Sequence, residues 1–117
     1  MRNDKKNLIV DLTMEFALEI VSYCELLESK RKYVIAKQLL KSGTSIGANV
    51  HEAQNAESKA DFIHKLKISA KEADETAYWL ELCLRSESYP NPDGLEEKLL
   101  SITKVLSKII SSSKSNN

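Results

Sequence analysis

Residues 8–29 read LIVDLTMEFALEIVSYCELLES. Ile9, Leu12, Phe16, Ile20, Val21, Cys24 and Leu27 return at spacings of three and four. That period places them along one face of an α-helix about six turns long. The cluster Lys30, Arg31 and Lys32 follows, where cations favour a helix C-terminus. The link is too short for anything but a reversal, so the next helix is expected to return antiparallel.

The second segment, 33–56, places Val34, Ile35, Leu39, Ile46, Val50 and Ala53 on its apolar face. Gly43 and Gly47 lie inside it, four residues apart, and open the same side of the helix. Each costs about 1 kcal/mol against Ala in a helix interior, which is offset if a neighbouring helix approaches closely there. Ser58 then fits an N-cap, with Asp61 three residues on. The third helix is expected over 59–86, with Phe62, Ile63, Leu66, Ala70, Ala73, Ala77, Leu80 and Leu84 as its core stripe. Its central alanines are expected to meet the glycines of the second helix. Asn91, Pro92, Asp93 and Gly94 make a turn. Either Asn91 caps with Pro92 at the first helical position, or Asp93 caps with Glu96 reaching back. The fourth helix is expected over 94–111, with Leu95, Leu99, Ile102, Val105, Leu106 and Ile109 inward, and a frayed, disordered tail over 112–117. The expected fold is all-α, one domain spanning 1–117, an antiparallel up-down-up-down four-helix bundle.

Composition agrees. The 117 residues hold three glycines and two prolines, too few turn-formers for a strand-rich fold. Lys plus Arg equals Asp plus Glu at 17 each, and no segment between the turns departs from neutrality by more than one charge. There is no basic or acidic tail to bind a polyanion or polycation by bulk charge. No apolar run reaches membrane-spanning length, and the polar N-terminus lacks a signal-peptide core. Cys24 and Cys83 read as buried thiols of a cytoplasmic protein, with a disulfide left open.

One pattern does not belong to a plain bundle. Gln38, Ser42, Ser45, Asn49 and Glu52 recur at spacings of four, three, four and three, the seam a coiled coil fills with knobs. On the third helix Asp61, Lys65, Ile68, Glu72, Glu75 and Trp79 form a similar line. Such seams are either solvated faces or a partly buried network or subunit contact. Thr44, Ser45 and Asn49 are poor helix formers at mid-helix, and Trp79 shares the line with Glu72 and Glu75, which points to the second reading.

Two blocks carry a family resemblance. They are Lys37-Gln-Leu-Leu-Lys-Ser-Gly-Thr-Ser-Ile-Gly-Ala-Asn49 with Glu52-Ala53, and Glu57-Ser-Lys-Ala-Asp-Phe-Ile-His-Lys65 with Lys71-Glu72, Glu75 and Tyr78-Trp-Leu-Glu81. The chain resembles the bacterial four-helix bundle family of 23S rRNA intervening-sequence proteins along nearly its whole length. The resemblance implies a cytoplasmic homopentamer. A related branch includes the accessory protein of diversity-generating retroelements, a basic pentamer that engages a reverse transcriptase and nucleic acid. This chain is neutral and has Lys41 where relatives commonly carry Arg, and both departures weigh against carrying nucleic-acid binding over. On matching positions the resemblance implies a surface or inter-helix network of Lys41, Ser42, Ser45, Asn49, Glu52, Lys65, Glu72, Glu75 and Trp79.

Catalytic patterns are sparse. A di-metal bundle needs carboxylates from four helices and two Glu-x-x-His pairs, and the nearest match is Asp61-x-x-His64, once. No nucleophile motif, phosphate loop or Cys-x-x-Cys occurs. The expectation is a non-catalytic, self-associating scaffold without metal or cofactor and without a membrane, supporting a protein or ribonucleoprotein complex. Direct RNA or DNA binding by a patch formed in the assembly is the alternative, with a metal-dependent bundle enzyme behind it. Lys65, Lys67 and Lys71 with Tyr78 and Trp79 are the residues for single-strand binding, and three lysines on one helix are more often a solvated face.

Overall fold

The computed structural model describes residues 7–115. The expectations for the first six residues and for 116–117 lie outside the described residues. Four helices make up the structure: α1 (Leu8–Ser29), α2 (Tyr33–Ala53), α3 (Lys59–Arg85) and α4 (Leu95–Ser115). Each packs on its neighbour in sequence, and α4 closes the ring by packing on α1. The backbones of the diagonal pairs do not approach each other, which makes this the antiparallel up-down-up-down bundle. It is a rod of 50 × 23 × 20 Å.

Local chemistry sets the ends. The Asn7 side chain accepts from the Val10 N–H and starts α1. Between α1 and α2, Arg31 takes a positive φ of 63°. The Lys32 N–H then reaches the Leu27 carbonyl and the Arg31 N–H the Glu28 carbonyl, both at 2.9 Å. This is the Schellman arrangement, built here on a residue with a Cβ. Ser58 caps α3 by accepting from the Asp61 N–H at 3.0 Å, and Asp61 in turn accepts from the Glu57 N–H. α2 stops three residues short of its expected end, because residues 54–56 tighten into turns that bond back three positions. At α4 neither expected cap is used. Gly94, at φ 77°, precedes Leu95, and its carbonyl accepts the Lys98 N–H. The helix continues to Ser115, so 112–115, expected as frayed tail, are helical.

The core runs the length of the rod, from Ile9, Ala53, Leu66 and Leu106 to Leu27, Ala36, Cys83 and Leu95. Four expected core positions are exposed instead. Val34 is 74% exposed, and Val21, Ala77 and Leu84 are exposed too. On α3 the buried line is Leu66, Ser69, Ala73, Thr76, Leu80 and Cys83. The sequence reading placed Ala70, Ala77 and Leu84 there, each one residue too far along, or about 100° round the helix. Burial of Ser69 and Thr76 is tolerated because both hydroxyls are satisfied. Ser69 Oγ donates to the Ile46 carbonyl of α2 at 2.8 Å. Thr76 Oγ1 lies 2.8 Å from the Glu72 carbonyl and 2.9 Å from Ser42 Oγ.

The glycines serve a different pair of helices from the expected one. A Cβ on Gly43 would sit 2.9 Å from Ile20 Cγ2, and one on Gly47 would sit 3.3 Å from Thr13. Both therefore admit α1. The close approach of α2 to α3 comes from Ser42, Ser69, Ala73 and Thr76 instead.

Candidate functional site

The two polar seams flank the junction of α2 and α3, and the structure divides them into three kinds of residue. Ser42 is buried and belongs to the core. Among the described residues Glu52 and Lys65 are the one pair that bridges the seams, with Nζ 2.9 Å from Oε1. This contact holds the Lys65 ammonium above its usual pKa, by the hydrogen bond first and the charge second. The others bond within their own helix. Ser45 Oγ donates to the Lys41 carbonyl at 2.6 Å, Asn49 Nδ2 to the Ser45 carbonyl at 2.8 Å, and Trp79 Nε1 to Glu75 Oε2 at 3.0 Å. Glu72 contributes its carbonyl to Thr76, and Gln38 is exposed. Trp79 is half-buried and meets the exposed Tyr78 ring edge to face at 5.1 Å. The mid-helix Thr44, Ser45 and Asn49 are thus accommodated by back-bonding to carbonyls one turn earlier. A continuous inter-helix network does not form.

The neighbouring α1–α2 face carries a surface the sequence reading missed. A cleft of about 390 Å³ lies between Val10, Thr13, Met14 and Ala17 of α1 and Thr44, Gly47, Ala48 and His51 of α2. At Gly47, where a Cβ would sit 3.3 Å from Thr13, the two helices meet closely. Along α1 the cleft continues into exposed apolar side chains. Met14 is 59% and Leu18 62% exposed, followed by Val21, with Leu40 opposite on α2. Val10, Met14, Ala17 and Val21 recur at four, three and four, so α1 has a second apolar stripe beside its core face. That doubled periodicity was the available signal. Glu52 stands at the rim, so the cleft adjoins the Glu52–Lys65 bridge.

Chemically, the cleft suits an apolar side chain with a polar edge. No group of three or more His, Cys, Asp or Glu side chains converges as a metal site among the described residues. Asp61 and His64 therefore gain no further ligands. The thiols are buried away from this face. Burial pushes Cys24 up to about 12, helped by Cys83 and Glu28, and burial also raises Cys83. Tyr23, beside them, is raised by burial and then by its hydrogen bond with Cys83, and its hydroxyl donates to the Pro90 carbonyl at 2.6 Å. No helix of the described residues is long and apolar enough to cross a membrane.

Comparison with known proteins agrees with the geometry. Residues 5–112 match the family described as 23S rRNA-intervening sequence protein. A crystal structure at 1.70 Å of a protein of unknown function from the S23 ribosomal protein family of Bacteroides thetaiotaomicron VPI-5482 is 46% identical. It covers 87% of this chain and 97% of its own, with a TM-score of 0.83. None of the curated proteins matches.

Proposed function

This chain belongs to the 23S rRNA-intervening sequence protein family, and from that premise we propose that it is a non-catalytic homo-oligomeric scaffold, assembled through its α1–α2 face. The observation that carries the reading is the exposed stripe Met14, Leu18 and Val21 running out of an apolar cleft. A monomer gains nothing by leaving these side chains in water, whereas a second copy that covers them gains about 25 cal/mol for each Å² of apolar surface. The stripe on α1 is convex and the cleft is concave, so one copy offers a ridge and the next a groove. Contacts of that head-to-tail kind close into a ring when the rotation between copies divides a full turn. The number five rests on the family resemblance, and the face rests on geometry. Glu52 at the edge of the cleft, paired with Lys65, supplies a polar rim. Buried, unpaired thiols at Cys24 and Cys83 fit a reducing cytoplasm. The role is to hold copies, and what they bind, in fixed geometry for a protein or ribonucleoprotein complex.

Light scattering tests this. The expected mass is five times the 13.2 kDa protomer. Met14→Lys with Leu18→Lys is expected to give a helical monomer, since both side chains are outside the core. A wild-type chain that stays monomeric at tens of micromolar ends the proposal, as does a double variant with the parental mass.

A further inference from the structure

Neutral overall charge conceals one segregation. After Glu97 the chain has four lysines, at 98, 104, 108 and 114, and no Asp or Glu. The fold adds Lys67 and Lys71 of α3 to the same end of α4. Lys67 and Lys114 lie side by side where α3 meets α4. Lys67 is lowered by Lys114, through direct contact first and charge second. Among the described residues the ion pairs are Glu52–Lys65, Glu81–Arg85 and Glu19–Lys98, so none of the other five lysines is in one. Asp74, one turn past Lys71, is the acid nearest them in the groove.

Shape and hydrogen-bonding capacity point the same way. A cleft of about 340 Å³ lies between Ala70 and Asp74 of α3 and Ser107, Ser111 and Lys114 of α4. A second, shallow depression of about 500 Å³ lies on the surface of α4 alone, shares Ser107 and Ser111 and is edged by Lys104 and Lys108, so the groove opens onto that face of α4. The two serines thus form a ridge with lysines on both sides. Thr103 and Ser115 donate to the carbonyls four residues before them. Among the described residues no such bond engages the Ser107 or Ser111 hydroxyl, and both side chains are exposed, so their donors are open to a ligand. Adjacent ammonium groups beside exposed hydroxyl donors are suited to an anionic ligand.

We propose that the α3–α4 groove is a binding site for successive phosphates of a flexible polyanion, with Lys67, Lys104, Lys108 and Lys114 pairing with the phosphates and Ser107 and Ser111 donating to their oxygens. Single-stranded RNA and inorganic polyphosphate share this chemistry. The array from 104 to 114 spans about 15 Å, enough for several phosphates and too short for strong binding by one copy. The α3–α4 face is opposite the α1–α2 face, so a ring built on the latter leaves one groove per protomer pointing outward and multiplies weak contacts. The site itself lies within one protomer and does not rest on assembly.

Fluorescence anisotropy of labelled oligo(U) and of labelled polyphosphate tests the site on the full chain. Binding is expected at low salt, with log Kobs against log salt falling with a slope of about −3 for four phosphate contacts to a single strand. Lys67→Gln, Lys104→Gln, Lys108→Gln and Lys114→Gln together should weaken binding at least tenfold, with helicity and light-scattering mass unchanged. Ser107→Ala with Ser111→Ala should weaken binding while keeping the slope. Lys30→Gln, at the other end of the rod, should do neither. RNA binding alone or polyphosphate binding alone identifies the source. No binding of either probe overturns the proposal, as does binding that the quadruple variant retains. A monomer that still binds separates this result from the assembly reading.

Discussion

Thr76 Oγ1 lies 2.9 Å from Ser42 Oγ, with both residues buried between α3 and α2. Each hydroxyl has one proton. Thr76 Oγ1 is also 2.8 Å from the Glu72 carbonyl, whereas Ser42 Oγ is 3.4 Å from the Leu39 carbonyl. The shorter set has Thr76 donating to Glu72 and Ser42 donating to Thr76. Thr76→Val then removes the acceptor of Ser42 and should cost about 1–3 kcal/mol. The double variant with Ser42→Ala should cost less than the sum of the singles. Urea unfolding of the four proteins in this cycle measures the coupling, and strict additivity rules it out.

Gly43→Ala and Gly47→Ala should separate clearly. The first drives a methyl to 2.9 Å from Ile20 Cγ2, a fully buried, β-branched side chain with no room to turn. A loss of about 1–3 kcal/mol is expected. The second meets Thr13 at 3.3 Å, and the helix gain of about 1 kcal/mol largely offsets the crowding. Thermal melts that rank the two the other way would reject this account of the α1–α2 approach.

Arg31 holds φ 63° in the Schellman turn after α1. A side chain there costs about 1–2 kcal/mol, and glycine gives part of that back as unfolded-state entropy. Arg31→Gly should raise stability by about 0.5–1 kcal/mol, read from the denaturant midpoint at unchanged m-value.

Alkali should unfold the bundle earlier than its charge balance suggests. The unfolded Cys24 thiol ionises near 9.0, while the folded one is pushed up to about 12 by burial. Between those values the native chain holds the extra proton. This stability is therefore whole below pH 9 and declines as pH rises, by at most about 1.4 kcal/mol per pH unit for one group. Cys83 shifts in the same direction. Tm should fall above pH 9, less steeply for Cys24→Ala with Cys83→Ala.

Glu52→Gln should barely move Tm, because its partner Lys65 is solvated and surface pairs contribute little. Set beside Ser42, four turns of one seam hold residues of opposite fate.

That contrast marks what was legible. The four helices and their order follow from apolar spacing, and Ser58 announced its cap. The α3 core did not, since 69, 76 and 83 and 70, 77 and 84 are both heptad lines. Greasiness favours Ala70, Ala77 and Leu84, while burial chose Ser69, Thr76 and Cys83. A hydroxyl that bonds a carbonyl loses its polarity without changing its letter. Gly43 and Gly47 told which side of α2 was open and nothing of which helix would enter. Lys67 and Lys114 are 47 positions apart, so their meeting is a product of topology alone.

The ring of helices closes between α4 and α1, while the backbones of α1 and α3 stay apart across the diagonal. A ribosome that has delivered three helices therefore holds an open trough, its greasy walls wet. Only as Leu95, Leu99, Ile102 and Leu106 emerge can that trough be roofed, with Tyr23 catching the incoming loop at Pro90. Helix α4 therefore decides whether the side of α1 turned toward it is ever dry.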